Sequence, residues 1–543
     1  MSNYSDASLV MYPSGRKATK LYSQKPTDGT GDFTVARAGL RHEINSDLKL
    51  ELIAANVPAF NYDAIGGCPV LNTEPQSTNL ITYPVSFGNS YWTKSGASIE
   101  GDATTAGSEL LTNGTFTGSA SSWTLGAGVA YGTNNLTFTA ATSNTSNTTP
   151  SLTINKMYLV TYEVTNYTSG TFWANLGGTA SGATNSGNGT FTDYITTSVG
   201  TNILYFSGSG FSGTLDNISV KEVQGYSAPS VDFPTSAFKL VEDTTLNNHQ
   251  VYASNVFTSV LNNYYSLSFF AKSSERTNVS CFLQIPNAIN CDFDLINKTA
   301  VVSSGAGVGK IEEIADGWFK CSLSGQATSA GGVYTNIVLS NGSVNNYTGD
   351  GTSGLYIFMA QAEDSSVATS PTFTDITLAA EGSTSTRLAD LQYITAANST
   401  AWDFTSEDFS FVFDVNFSDI SVGPYLYSKG RSVNDGWNII VLSTGAIRVL
   451  SSQSGANQVT DSSVGVATVN TDLKIVVTRS GTVTKIYKNG ALIVTGTNTA
   501  PDTAVARDLV LGNYYDFSKP VNGDISSFKI YTTELTATQV AAL

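Results

Sequence analysis

Histidine is almost missing from this sequence: His42 and His249 are the only two in 543 residues. A Ser-His-Asp triad or a histidine-ligated metal needs imidazole inside a specific constellation, and two scattered copies make either a poor expectation. Cysteine is nearly as scarce. Four thiols do not make a disulfide scaffold, and Cys281, Cys291 and Cys321, set in strand-like text, read as buried free thiols rather than as a bridge or a metal site. Positive charge is short too. With 27 basic against 43 acidic residues the net charge is −16, which argues against a grip on a phosphate backbone, so nucleic acid is not an expected partner. No apolar run approaches the roughly 20 residues of a membrane-spanning helix, so membrane insertion is not expected. The opening residues show no charged stretch followed by an apolar one, which implies synthesis in a cytoplasm, or exit from the cell by a route that needs no signal peptide. Helix is also rare in the pattern, its best candidate being the final "TELTATQVAAL", where Thr533 is placed to cap a short turn.

What the chain has instead is Gly, Ser, Thr and Asn in abundance around a hydrophobic fraction of 41%, the mixture of short strands joined by many turns. Its length suits three or four domains. Phe409, Phe411, Phe413, Val415 and Phe417 alternate with other residues, which gives one strand an apolar face. Asn489-Gly490 in "KIYKNGALI" predicts a type I′ hairpin. Two near-copies of one pattern, "SYWTKSGASIE" and "SSWTLGAGVA", stand about thirty residues apart, too close for the first to finish a sandwich before the second begins. Residues 1–60 carry a basic bias through Arg16, Lys17, Lys20, Lys25, Arg37 and Arg41 and show no compact core of their own. Such a segment gains order by docking on something else, so an extended arm is expected whose removal leaves the rest soluble.

The runs "DFTVARAG", "AANVPAFNYD", "GGCPVLNTEPQSTNLITY" and "WTKSGA" resemble a segment common in structural proteins of tailed bacteriophages, including tail-fibre-like virion proteins. The resemblance resumes at "SAFKLVEDT", "YSLSFFAKSSERTNVSCFLQI", "ADGWFKCSLSGQA" and "YTGDGTSGLYIFMAQAE". In relatives these later motifs follow the Trp-Thr opening almost directly, as one jelly roll. Here about 120 residues intervene, and their ends, "ELLTNGTF" and "LDNISVKEV", resemble the first and last strands of a carbohydrate-binding-module jelly roll. From "WDFTSEDFSFVFDVNF" to "GDISSFKIYTTELTATQV" the text resembles a laminin G-like, concanavalin A-like sandwich. The implied fold is all-β: an N-terminal anchoring arm and connector (1–78), an outer jelly roll (79–106 plus 225–385), an inserted jelly roll (107–224) and a laminin G-like sandwich (386–543).

The same resemblance implies a virion surface protein of fibre, spike or receptor-binding type, made in the bacterial host cytoplasm. Its arm would hold other virion proteins, its sandwiches would bind host surface polysaccharide, and homotrimers are usual for such fibres. A head fibre or capsid decoration without adhesion stands as an alternative, and a glycan depolymerase as a second. The acidic pairs Glu312-Glu313 and Glu407-Asp408 lie at turns beside strand-like text, where solvated pairs are the simpler reading, so catalysis is not expected. Sugars are held by aromatic faces beside polar side chains. In the insert Trp123 reads as core, whereas Trp173 and Tyr194 are candidate glycan contacts; Trp437 and Tyr514 are their counterparts in the C-terminal domain. Carbohydrate-binding modules of this type often hold a structural Ca²⁺ between an acidic residue near the first strand and an Asp in the last, which here implies Glu109 and Asp216. An inserted domain tied at both ends to one loop is expected to stand away from the main axis, and its deletion to leave the outer jelly roll intact.

Overall fold

The computed structural model describes residues 4–13, 16–17, 19–62, 65–101, 106–153, 156–178, 180–197, 201–342, 344–372, 381–453, 455–501 and 507–543. Among them the fold is all-β, and the one α-helix is the five-residue Ala537–Ala541. Its cap is Thr536 rather than Thr533. Thr536 has Gln539 three residues on, so the two side chains close a capping box, while the Thr533 carbonyl accepts from Ser410 Oγ at 2.9 Å.

The C-terminal sandwich faces an eight-stranded sheet against a nine-stranded one. The alternation along strand Phe409–Asp419 does what its period dictates: Phe409, Phe411, Phe413, Val415 and Phe417 are all buried in one core with Tyr427, Ile439 and Phe528. Asn489 and Gly490, at φ 49° and 83°, close the expected hairpin between Val483–Lys488 and Ala491–Thr497.

The N-terminal segment corrects an expectation. It has no core of its own because it completes this one. Strand Leu9–Met11 pairs antiparallel with the last strand, Asn522–Tyr531, with Leu9 opposite Ile530, and strand Val70–Thr73 pairs with the same strand nearer its start. Phe33–Ala36 joins the other sheet beside Leu391–Ile394. Leu9, Met11, Leu21, Phe33, Phe60 and Leu71 all lie in the C-terminal core. A buried ionic cluster fixes the crossing: Arg37 Nη1 binds Asp390 Oδ1 at 2.7 Å, Arg41 also binds Asp390, and both Arg41 and Arg387 reach Glu74, at 3.1 and 3.2 Å. Part of the basic bias thus serves as buried counter-charge, not as a solvated arm.

The outer jelly roll stacks two six-stranded sheets. Thr93–Ser95 borders one, next to Gln250–Ala253, and Ala97–Glu100 borders the other, next to Phe238–Glu242. Trp92 is buried between them, its indole N–H donating to the Tyr83 carbonyl at 2.8 Å. Cys281 faces Cys291 across neighbouring strands, and both, with Cys321, are buried free thiols.

After Glu100 the chain leaves this sandwich and builds the insert before returning at Phe238. Two long strands, Met157–Leu176 and Leu204–Glu222, run antiparallel with register shifts that bend them around a core containing Trp123, Tyr162, Phe172, Phe206 and Phe211. Trp123 repeats the arrangement of Trp92: its indole donates to the Asn113 carbonyl at 3.0 Å. The ends of the insert lie side by side, with Gly107 N donating to Glu222 O at 2.7 Å and Leu110 N to Val220 O at 2.9 Å. The insert does not stand clear of its host, however. Met157, Leu159 and Val223 belong to the same buried cluster as Ile81, Phe87 and Trp92 of the outer jelly roll, and Tyr194 packs against it.

Candidate glycan-binding face

Alternation in the long strand Met157–Leu176 decides what Trp173 does. Phe172, Ala174 and Leu176 point into the insert core, so Thr171, Trp173 and Asn175 point out, and Trp173 is half-buried. On the neighbouring strand Leu204 and Phe206 point in, while Tyr205, Ser207 and Ser209 point out. The register sets Trp173 opposite Ser207 and Asn175 opposite Tyr205, so Trp173 and Tyr205 are diagonal neighbours on one outward face, within reach of each other for aromatic side chains. Ser146 continues the row beyond Tyr205, and Ser181 lies beyond Asn175.

The polar rim is ordered by its own hydrogen bonds. Ser207 Oγ donates to Asn144 Oδ1 at 2.7 Å, and Asn175 Nδ2 donates to Ser181 Oγ at 3.0 Å. The chain turns after Leu176 through Gly177 and Gly178, both at positive φ, and an added β-carbon at Gly178 would lie 3.8 Å from the Tyr205 ring. Thr171, Trp173, Asn175, Ser181, Ser207, Tyr205 and Asn144 carry no formal charge. Two rings amid amides and hydroxyls can stack on the C–H faces of a sugar and trade hydrogen bonds with its hydroxyls. Tyr205 went unnoticed in the sequence because it sits in the run Leu204-Tyr205-Phe206, where unbroken apolar text hides which residue faces outward.

The remaining expectations fare differently. Tyr194, opposite Leu159, packs on the outer jelly roll's core instead of joining this face. Trp437 is a correction: it is 2% exposed, its ring meets Phe409 edge-on at 5.0 Å, and its indole donates to Phe404 O at 3.1 Å, so no ligand reaches it. The inward register of strand Asp435–Val441 put it there. Tyr514 is half-buried in an aromatic group, 4.5 Å from Tyr425 and 4.4 Å from Tyr515 between ring centres, and its hydroxyl accepts from Ser432 N at 3.1 Å. Burial pushes the Tyr425 phenol up to about 12. Beside this group runs a groove of about 550 Å³ lined by Tyr425, Ser432, Arg448, Asn457 and Lys519.

Glu109 and Asp216 do not form one cation cradle. The Glu109 carboxylate is taken by Leu111 N at 3.0 Å, Val220 N at 2.8 Å and Ser219 Oγ at 2.5 Å, which staples the opening segment of the insert to its last strand. Asp216 faces Glu163 across the sheet; burial, then the charge of Glu163, raise its carboxyl above the ordinary range. Among the described residues no group of three or more His, Cys, Asp or Glu side chains is placed to hold a metal ion. The acidic pairs are partnered as well: Glu312 with Lys310 at 2.7 Å, Glu313 with Lys298 at 2.6 Å, and Asp408 with Gly481 N at 2.8 Å.

Residues 389–541 match the family model of the Concanavalin A-like lectin/glucanases superfamily. No curated protein matches the chain. Among solved structures the chain is similar to the sialidase CBM40 of Ruminococcus gnavus bound to alpha2,3 sialyllactose, at 15% identity and a TM-score of 0.24 over 27% of this chain and 85% of that one. The receptor binding domain of the botulinum neurotoxin C/D mosaic serotype gives 15% and 0.24 over 28% and 40%. The NanB sialidase from Streptococcus pneumoniae gives 14% and 0.23 over 28% and 26%. At such scores these likenesses carry no function to this chain.

Proposed function

We propose that the C-terminal concanavalin A-like domain, the outer jelly roll and the insert together form a non-enzymatic adhesin of a bacteriophage virion surface, which attaches to host cell-surface polysaccharide through the outward face of the insert. The observation that carries the binding role is the diagonal pair Trp173 and Tyr205 on an uncharged sheet face edged by Asn175, Ser207 and Asn144. Two rings set on rigid paired strands offer stacking area without the ordering entropy a loop site would lose. The virion setting is supported by the tail-fibre-like motifs of the sequence. Particle labelling tests it, and light scattering of the purified chain tests the trimer those fibres favour.

Trp173→Ala and Tyr205→Ala are each expected to weaken binding on a host-glycan array by about 1–2 kcal/mol, the scale of one lost stacked contact, with thermal stability nearly unchanged. A large stability loss would place Trp173 in the core. Unchanged binding in both variants would transfer recognition to Tyr514 and the adjacent Tyr425 groove of the C-terminal domain, and release of reducing ends from capsular polysaccharide would replace adhesion with hydrolysis.

A further inference from the structure

We propose that the cleft between the outer jelly roll and the C-terminal sandwich is a second glycan site, one that accepts neutral sugars and rejects acidic ones; it rests on the glycan-binding reading above. The outward face of the sheet that includes Tyr264–Lys272 and Trp318–Gln326 is covered along most of its length. Phe270, Trp318 and Phe358 pack there with Leu50 and Ile314, and Lys320 Nζ donates to Thr369 O at 2.8 Å. Toward one end the cover stops. Tyr264, in register with Gln326, is 47% exposed, and Val308 on the next strand is 68% exposed. Across the gap the C-terminal sandwich presents Asp419, Ser421 and Val422, and about 890 Å³ lies between the two walls. That volume falls within the roughly 300–1,000 Å³ of ligand clefts.

The walls are tied and their polar groups held in place. Asp419 Oδ2 accepts from Ser366 Oγ at 2.9 Å, across the junction, and from Ser421 Oγ at 2.7 Å. Asn263 Nδ2 donates to Asp364 Oδ2 at 3.3 Å, and Gln326 Nε2 to Asn262 O at 2.9 Å. An exposed phenol ring, with apolar Val308 two strands away on the same face and fixed amides and carboxylates opposite, offers a stacking platform and strong acceptors for sugar hydroxyls. The described lining holds Asp364 and Asp419 but no Lys, Arg or His, and the adjacent ammonium groups of Lys320 and Lys519 are engaged by the Thr369 and Val422 carbonyls at 2.8 and 3.0 Å. The carboxylate of a sialic or uronic sugar would therefore meet like charge with no counter-ion in the lining itself, while a neutral hexose or N-acetylhexosamine would not.

The test is saturation-transfer NMR on the full chain. The probes are tetrasaccharides of glucose, galactose and N-acetylglucosamine, with their sialylated and uronic counterparts. In the Trp173→Ala/Tyr205→Ala double variant a neutral tetrasaccharide is expected still to bind, its acidic counterparts are not, and adding Tyr264→Ala is expected to weaken that residual binding at least tenfold. Wild-type binding that disappears entirely in the double variant overturns the cleft and leaves the insert face standing. Residual binding indifferent to Tyr264→Ala, or equally strong for acidic sugars, also overturns the cleft. Absence of binding by the wild type to every probe sinks the cleft and the glycan reading together.

Discussion

Single residues in the phage-like motifs turn out to hold the fold. "LVEDT", "SSERTN" and "YTGDGTSG" meet at Glu242, whose buried carboxylate takes Arg276 at 2.5 and 2.8 Å, the Tyr347 hydroxyl at 2.6 Å and Asp350 N at 2.9 Å. Burial works against its charge, but these donors win and hold the carboxyl below its ordinary range. His249 belongs to the same knot, with its ring against Tyr347 and Nε2 2.9 Å from Tyr347 O. A structural role thus accounts for one of the two histidines. Glu242→Gln is expected to lose about 2–3 kcal/mol at neutral pH, less than a fully buried pair because Arg276 is partly exposed. Because the native pKa is depressed, that contribution is present above the unfolded value and lost as pH falls, so the gap from wild type should shrink in acid. Urea unfolding at pH 7 and pH 3.5 checks both statements.

At the scale of elements, the decisive strand is Leu9–Met11. All three side chains are fully buried; Ser8 Oγ, which accepts from the Trp402 indole at 3.1 Å, donates to Ile530 O of the last strand at 3.0 Å. Removing residues 1–12 would strip Leu9, Val10 and Met11 from two cores, at roughly 1.5–3 kcal/mol each, together with the smaller Ala7 and the partly buried Tyr12, and bare the backbone of Asn522–Tyr531 near its end. The truncated chain is expected to unfold its C-terminal sandwich at markedly lower temperature and to aggregate. Calorimetry with an unchanged transition would show the strand to be dispensable. This reverses the expectation that the N-terminal segment can be cut away cleanly.

Across the whole molecule the domains share interior, and two expectations follow. Deleting residues 107–224 removes Met157, Leu159, Tyr194 and Val223 from the cluster around Phe87 and Trp92, so the outer jelly roll should survive with a lower melting temperature and bind an apolar dye; an unaltered melting temperature and no dye binding would mean that the contact contributes nothing. The second concerns Asp524, beside a cavity of about 460 Å³ where the N-terminal segment, outer jelly roll and C-terminal sandwich meet. Burial raises its carboxyl to about 6, against the pull of its hydrogen bond from Asn72 Nδ2 at 2.7 Å. A raised carboxyl favours the native state below the unfolded pKa near 4, and that advantage is lost as pH rises through 6. Asp524→Asn should therefore stabilise the protein by about 1 kcal/mol at pH 7.5, a value tempered by water in the cavity, and by nothing at pH 4. Thermal melts across that range check the sign.

What the sequence alone determined was local in origin: the all-β class from turn residues and alternation, the Asn489-Gly490 hairpin from its φ requirement, and the apolar row from Phe409 to Phe417. Period two tells which residues share a face but not which face meets solvent, so Trp437 and Trp173 looked alike until packing buried the first and left the second at a surface. Tyr205 needed the register of its neighbour to become Trp173's partner. The docking of the N-terminal strands on the last strand, more than 500 residues away in sequence, left no local signal, because short strands advertise a need for a partner but not its identity. Tertiary structure alone decided those pairings, for only there do long-range hydrogen bonds and shared burial repay the loop entropy of bringing the two ends together.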